Sequence, residues 1–149
     1  MMAERFSLDT DILVAAADSK AGAKHARAVA LLHGAAAADC ILTVQVLAEF
    51  FHAVTRGGVP AKAAAALVED WRIQFPVVAA EAPQLSAAID QAVRRRAPLW
   101  DGLLLETLRA AGCRILLSGA FRHSSSYCGL VVLDPFHAAA SQRLQRLLG

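Results

Sequence analysis

Three carboxylates stand where an α/β chain can gather them. Asp9 closes the short apolar run Phe6-Ser7-Leu8. Glu49 lies a little beyond a second run, Cys40-Ile41-Leu42, and Asp101 sits in the first turn of a helix that begins at Leu99. Sites in open α/β sheets collect at the carboxyl ends of strands, so acids from these three segments can converge at one rim. An all-oxygen set, with no cysteine or histidine cluster beside it, suits a hard divalent cation such as Mg²⁺ or Mn²⁺. Without a cation the carboxylates would repel one another and hold their protons to higher pH. Each acid also has a plainer use: Asp9 as a helix cap, Glu49 as a solvated helix residue, Asp101 as a charge facing a helix dipole.

The elements that must position these acids alternate between strand and helix. Phe6-Ser7-Leu8 reads as a strand, and Asp9 or Thr10 caps a short helix carrying Ile12, Leu13 and Val14. Helical spacing runs from Ala21 to about Ala38. After the Cys40–Leu42 strand, Thr43 caps a helix with Val46, Leu47, Phe50 and Val54, ended by Gly57-Gly58. Pro60 is expected just inside the next helix, which runs to about Ile73. Phe75-Pro76-Val77-Val78 is a third strand, and its proline predicts an edge. Pro83 to Arg96 is helical, with Leu85, Ala88, Ile89, Ala92 and Val93 on one face, and Leu99 to Ala111 is a further helix ended by Gly112. Arg114–Leu117 and Leu130–Leu133 are the fourth and fifth strands, with Ser118 to Gly129 read as loop between them. A last helix is expected from Phe136 to Leu148. The fold class is α/β: a three-layer α/β/α sandwich with a mainly parallel central sheet of about five strands, forming one domain over residues 1–149.

Composition agrees with one core and excludes several classes. The 149 residues are 56% hydrophobic, with 33 alanines among them, and 19% charged, which excludes disorder. Only 9 glycines and 5 prolines exclude collagen-like repeats. No run approaches the roughly 18 uninterrupted apolar residues of a membrane span. The net charge of +2 is too small to argue for nucleic-acid binding from bulk charge. The start, Met1-Met2-Ala3-Glu4-Arg5-Phe6, carries no secretory pattern. Cys40, Cys113 and Cys128 are an odd, widely spaced set, expected as reduced thiols in the cytoplasm and not as zinc ligands.

Three segments carry a resemblance: Phe6-Ser7-Leu8-Asp9-Thr10-Asp11-Ile12-Leu13-Val14, Thr43-Val44-Gln45-Val46-Leu47-Ala48-Glu49-Phe50 and Leu99-Trp100-Asp101-Gly102-Leu103-Leu104. In order and spacing they resemble the acidic motifs of the PIN domain, most of all those of the VapC toxins of toxin–antitoxin pairs. The tail Gly129-Leu130-Val131-Val132-Leu133-Asp134-Pro135-Phe136 resembles that family's last strand, where Asn more often precedes Pro-Phe. The resemblance implies a PIN-like fold and an Mg²⁺-dependent endoribonuclease. Asp9, Glu49 and Asp101 would be its catalytic, metal-binding carboxylates, with Mn²⁺ able to replace Mg²⁺. By the same match Thr10 and Thr43 would orient ligands through hydrogen bonds, and Asp11, at a place where the family often has Asn, would add a supporting acid. An RNA substrate, a cognate antitoxin and a homodimer are the implied partners.

The chain departs from the pattern after its fourth strand. The family usually shows Ser or Thr, two acidic residues and an apolar residue; here the chain reads Ser118-Gly119-Ala120-Phe121. Ala120 stands where a fourth acid is expected, and a methyl group cannot coordinate a cation. One ion held by three acids, with Ser118 or Asp11 filling in, is one outcome; an impaired nuclease is another. A non-catalytic module that binds RNA or a partner is the main rival. Cations must flank an acidic pocket for RNA to approach. Arg122 and His123, beside the altered motif, and Arg96, in the run Arg94-Arg95-Arg96, are the substrate-binding candidates. His52 shares a helix face with Glu49. Trp71 and Trp100 are the residues able to stack on bases, although Trp100 is expected to pack against the sheet. Asp9-Thr10-Asp11 also resembles the acid pair of haloacid dehalogenase-type phosphatases, but that family's late acidic pair and separate lysine have no counterpart here. No Gly-x-Gly-x-x-Gly follows the first strand, so dinucleotide binding has no support.

Overall fold

The computed structural model describes residues 4–149; Met1, Met2 and Ala3, read above for a secretory leader, lie outside the described residues. The strands are β1 (Phe6–Leu8), β2 (Cys40–Thr43), β3 (Val77–Val78), β4 (Ile115–Leu117), β5 (Ser126–Tyr127) and β6 (Leu130–Leu133). The helices are α1 (Thr10–Ala17), α2 (Ala23–Ala36), α3 (Val44–Arg56), α4 (Ala61–Gln74), α5 (Ala82–Val93), α6 (Leu99–Ala110) and α7 (Ser141–Leu148). One sheet of six strands runs in the order β3-β2-β1-β4-β6-β5, parallel except for the last pair. Every residue of β1, β2 and β4 is buried. Successive strand residues face opposite sides, so both faces of the sheet are covered and the three-layer reading holds.

The chain leaves β1 toward β2 and β3 on one side, then crosses back to place β4 on the other side of β1. The order therefore reverses between β1 and β4, and the crevice beyond their carboxyl ends is where an open α/β sheet can hold a ligand. Asp9 and Ser118 are the first residues past those two ends. The backbone N–H of Asp9 donates to the Leu117 carbonyl at 2.9 Å, so the two strand ends stay locked together as they diverge into loops.

Four local features differ from the sequence reading, each for a physical reason. The sheet has a sixth strand, because Ser126–Tyr127 pairs antiparallel with β6 around Cys128 and Gly129. Both turn residues have positive φ, 48° and 90°, as a tight two-residue hairpin turn demands. Pro60 precedes α4 as its cap residue and does not lie inside it. The last helix starts at Ser141, not Phe136, because Asp134 Oδ1 accepts from Phe136 N–H and His137 Nδ1 from Ala139 N–H, which ties the intervening residues into a turn and a short 3₁₀ segment. The apolar face assigned to α5 is exposed: Leu85, Ile89 and Val93 are all open to solvent, and only Ala88 is buried. Helix α5 meets α6 through its smallest residues, and a Cβ added at Gly102 would lie 3.6 Å from that of Ala88. Close approach of two small residues directs the larger ones of α5 outward.

The core lies along the sheet and under α3, where Phe50 is fully buried and meets the Trp71 ring edge-on, with centroids 4.7 Å apart. Replacing Phe50 with alanine is expected to lower unfolding stability by about 3–5 kcal/mol. Ile73→Ala, at a residue 85% exposed, should change it by no more than about 0.5 kcal/mol. Urea unfolding followed by far-UV circular dichroism checks both, and equal losses would refute this placement of the core.

Candidate active site

Asp9, at the end of β1, is 6% exposed and N-caps α1. Its Oδ1 accepts from the Thr10 N–H at 2.8 Å, and its Oδ2 accepts from the Ser118 hydroxyl at 2.7 Å. Ser118 is itself fully buried, and its oxygen accepts from the Ala120 N–H at 3.0 Å. The capping use of Asp9 and its place in a carboxylate group are thus the same geometry. Thr10 turns its hydroxyl toward α3 and donates to Glu49 Oε2 at 2.9 Å. The other Glu49 oxygen accepts from Gln45 Nε2 at 2.7 Å, and that amide also donates to the Trp100 carbonyl at 3.0 Å. One glutamine therefore ties α3 to the start of α6, immediately before Asp101. Thr43 is the N-cap of α3, accepting from Val46 N–H at 3.1 Å, which fixes the direction in which the Glu49 helix leaves the sheet.

These residues share one cavity of about 1200 Å³. Asp9, Asp11, Asp18, Glu49 and Asp101 line it, and its wall is otherwise mostly apolar, with Val14, Leu103, Leu104 and Phe121 prominent. Ala120 also lines it and presents only a methyl group. Asp11 places Oδ2 against the Gly119 N–H at 2.8 Å, while its Oδ1 is buried without a hydrogen-bond partner. A Cβ at position 119 would stand 2.9 Å from Asp11 Oδ2, so any larger residue there would displace that carboxylate.

Burial is the main cause of the electrostatics. It lifts the Asp9 carboxyl to about 6, and the charges of Asp11 and Glu49 add to the rise while the Ser118 and Thr10 hydrogen bonds oppose it. Asp11 is raised by burial and by Asp134, and Asp101 by burial and by Glu49.

The structure brings together Asp9, Glu49, Asp101, Thr10, Asp11 and Thr43 around the cavity, and Ser118 joins them through its bond to Asp9 without lining the cavity. It does not bring in Arg122, His123 or Arg96, none of which lines the cavity. His123 is occupied elsewhere: its Nδ1 accepts from the Asp134 N–H at 2.9 Å, and its ring stacks on His137 at 4.4 Å. The histidine that does line the cavity is His52. Trp71 is a core residue, whereas Trp100 is 64% exposed at the cavity and does not pack against the sheet as expected. Gln45 escaped the sequence reading, although its signal was present: Gln45 and Glu49 are four apart on one helix, a spacing at which side chains meet.

An all-oxygen donor set, an orphaned Asp11 oxygen and a buried, raised Asp9 are features that a divalent cation would relieve. Among the described residues no three His, Cys, Asp or Glu side chains close into a ready cage. The residues fit a single ion of the kind held by one or two carboxylates with water completing the shell.

The fold is PIN-like: a mainly parallel sheet covered by helices on both faces. The chain is similar in structure to VapC20 of Mycobacterium tuberculosis, described as a sarcin–ricin loop cleaving toxin. The TM-score is 0.61 at 22% identity, over 76% of this chain and 90% of that one. No family model matches the sequence, and no curated protein matches it.

The raised Asp9 fixes a pH dependence. Between about 4 and about 6 the folded chain binds more protons at Asp9 than the unfolded chain does. Stability therefore falls as pH rises through that window and levels above it, at a cost of no more than about 3 kcal/mol. Asp9→Asn should remove most of the fall in chelator-treated protein, as read by urea unfolding at several pH values. A native profile that climbs from pH 4 to 6 in parallel with the variant would contradict the assignment.

Proposed function

We propose that the chain is a metal-dependent endoribonuclease of the VapC type, slowed by the alanine at position 120. The observation that carries this reading is the meeting of Asp9, Glu49 and Asp101, from three separate segments, in one cavity at the strand-order reversal of a VapC-like fold. Mg²⁺, or Mn²⁺ in its place, is the proposed cofactor. When bound it would supply an activated water and offset charge on the phosphate and the leaving oxygen.

The chain's own residues do the positioning. Ser118 and the Thr10 N–H hold Asp9 by one bond to each oxygen, which fixes the plane of its carboxylate. Thr10 and Gln45 fix Glu49 in the same way. Thr43 sets the α3 direction. Asp11 contributes negative charge beside the 118–120 turn, and Arg122 and Arg96 would meet flanking phosphates from outside the cavity, a role that His123, held by the Asp134 N–H and by stacking on His137, does not share. A cognate antitoxin, a homodimer and a cytoplasmic setting complete the proposal, all by likeness to VapC toxins. A haloacid dehalogenase-type phosphatase is disfavoured, since no lysine lines the cavity. The non-catalytic reading retains one specific support, the methyl of Ala120 in the place of an acid.

Mg²⁺ or Mn²⁺ should trigger cleavage of RNA by the purified chain, and chelator should stop it. Asp9→Asn and Asp101→Asn should each abolish cleavage, while Ser118→Ala, which removes a bond that orients Asp9, should cost about 10- to 100-fold. Ala120→Asp should raise the rate and tighten Mn²⁺ binding in calorimetry. Cleavage that survives both Asn variants would refute the assignment, and an Ala120→Asp chain that binds Mn²⁺ no better would refute the missing-ligand argument.

A further inference from the structure

We propose that Trp100 is a stacking platform for an unpaired nucleobase, holding a single-stranded stretch of RNA beside the acidic cavity; this rests on the ribonuclease reading above. The chain has two tryptophans. Trp71 shows what a structural one looks like here: 7% exposed, with its ring edge-on to Phe50. Trp100 is the opposite case, 64% exposed and on the cavity wall, with Val44, 53% exposed, also lining the cavity. An indole left in water contributes little to the core, so its place asks for a ligand.

Position and charge both point to a base. Trp100 directly precedes Asp101, and its carbonyl accepts from the same Gln45 amide that holds Glu49. The Trp100 backbone is therefore tied to two of the three acids, by one covalent link to Asp101 and by Gln45 to Glu49. A base stacked on it would bring its own phosphodiester to the mouth of the carboxylate group. Without a bound cation the cavity cannot grip that phosphate by charge, because among the described residues five carboxylates line it and neither lysine nor arginine does. Among the described residues His52 is the only basic side chain on the wall. Stacking supplies affinity that does not depend on opposite charge and tolerates any base, since every base has a π-face.

The test uses the full chain in chelator, so that no RNA is cut, and reads tryptophan emission during titration with a short single-stranded RNA of mixed sequence. Trp71 is shielded, so quenching of the exposed emission reports Trp100. RNA should quench it to saturation, and an abasic sugar–phosphate oligomer of equal length should not. Trp100→Ala should weaken RNA binding about five- to one-hundred-fold by fluorescence anisotropy. Trp100→Phe should keep most of the affinity, and Trp100→Leu, apolar but not flat, should behave as alanine does. Unchanged melting of the variants confirms that they fold, and in cleavage with Mg²⁺ the loss should fall on KM more than on kcat. Equal RNA affinity of native and Trp100→Ala chains would overturn the proposal. So would full affinity in Trp100→Leu, the outcome that marks an apolar protein-docking contact in place of a base. Stacking without cleavage under either metal would refute the ribonuclease reading and leave the platform standing; cleavage without stacking would do the reverse.

Discussion

The site depends on one constraint: a carboxylate must remain out of water beside other carboxylates. Asp9 is almost wholly buried where the strand order reverses, and its charge is opposed by burial, by Asp11 and by Glu49. Nothing about the side chain alone would keep it there. The backbone does, because Asp9 follows β1 directly, its N–H is bonded to Leu117 of β4, and its side chain is consumed in starting α1. Ser118 answers from the other side of the reversal with a hydroxyl bond to the same carboxylate. The two central strands thus place an unfavourable charge, and the buried strands around them supply the apolar contacts that offset its cost.

Most of this frame is legible in the sequence because it is written in local chemistry. Asp9 and Thr43 are cap residues at strand-to-helix junctions, and a cap announces both the end of one element and the direction of the next. Pro76 marks β3 as an edge, since a proline cannot donate to a neighbour, and β3 is one of the sheet's two edges. What the sequence conceals is tertiary. The apolar spacing of Leu85, Ile89 and Val93 is that of a buried helix face, yet those residues are exposed, because contact through Ala88 and Gly102 sets the rotation of α5. Periodicity identifies a face, but which face packs is decided by how closely two helices can approach. The same limit applies to Trp100: its neighbour Asp101 was readable as a site acid, but the side of α6 on which the indole would stand was not.

Charge is segregated in a way that bulk composition hides. The chain as a whole is slightly basic, at +2, while the cavity wall has five carboxylates and one histidine. The arginines singled out beside the altered motif and after α5 lie away from that wall. His123 in particular is committed to the fold, accepting a backbone N–H and stacking on His137. A polyanionic substrate would therefore meet attraction outside the cavity and repulsion within it, unless the acids are neutralised by an ion or by protons. The apolar part of the wall matters for the same reason: a low-polarity surround strengthens whatever electrostatic interaction is finally made there.

At the 118–120 turn, two small residues leave room for an acid from another element. The motif it resembles would carry carboxylates on this turn, and here it carries a hydrogen atom at Gly119 and a methyl at Ala120. The vacated space does not stay apolar. Asp11 from α1 lies against the turn, bonded to the Gly119 N–H, in a position that any Cβ at residue 119 would contest at 2.9 Å. Asp134 stands nearby and raises the Asp11 carboxyl further. An acidic side chain at position 119 would need that same volume and would add a third like charge to it. The glycine and Asp11 are therefore coupled by sterics and by charge alike, and a substitution at either one is felt at the other through a single backbone hydrogen bond.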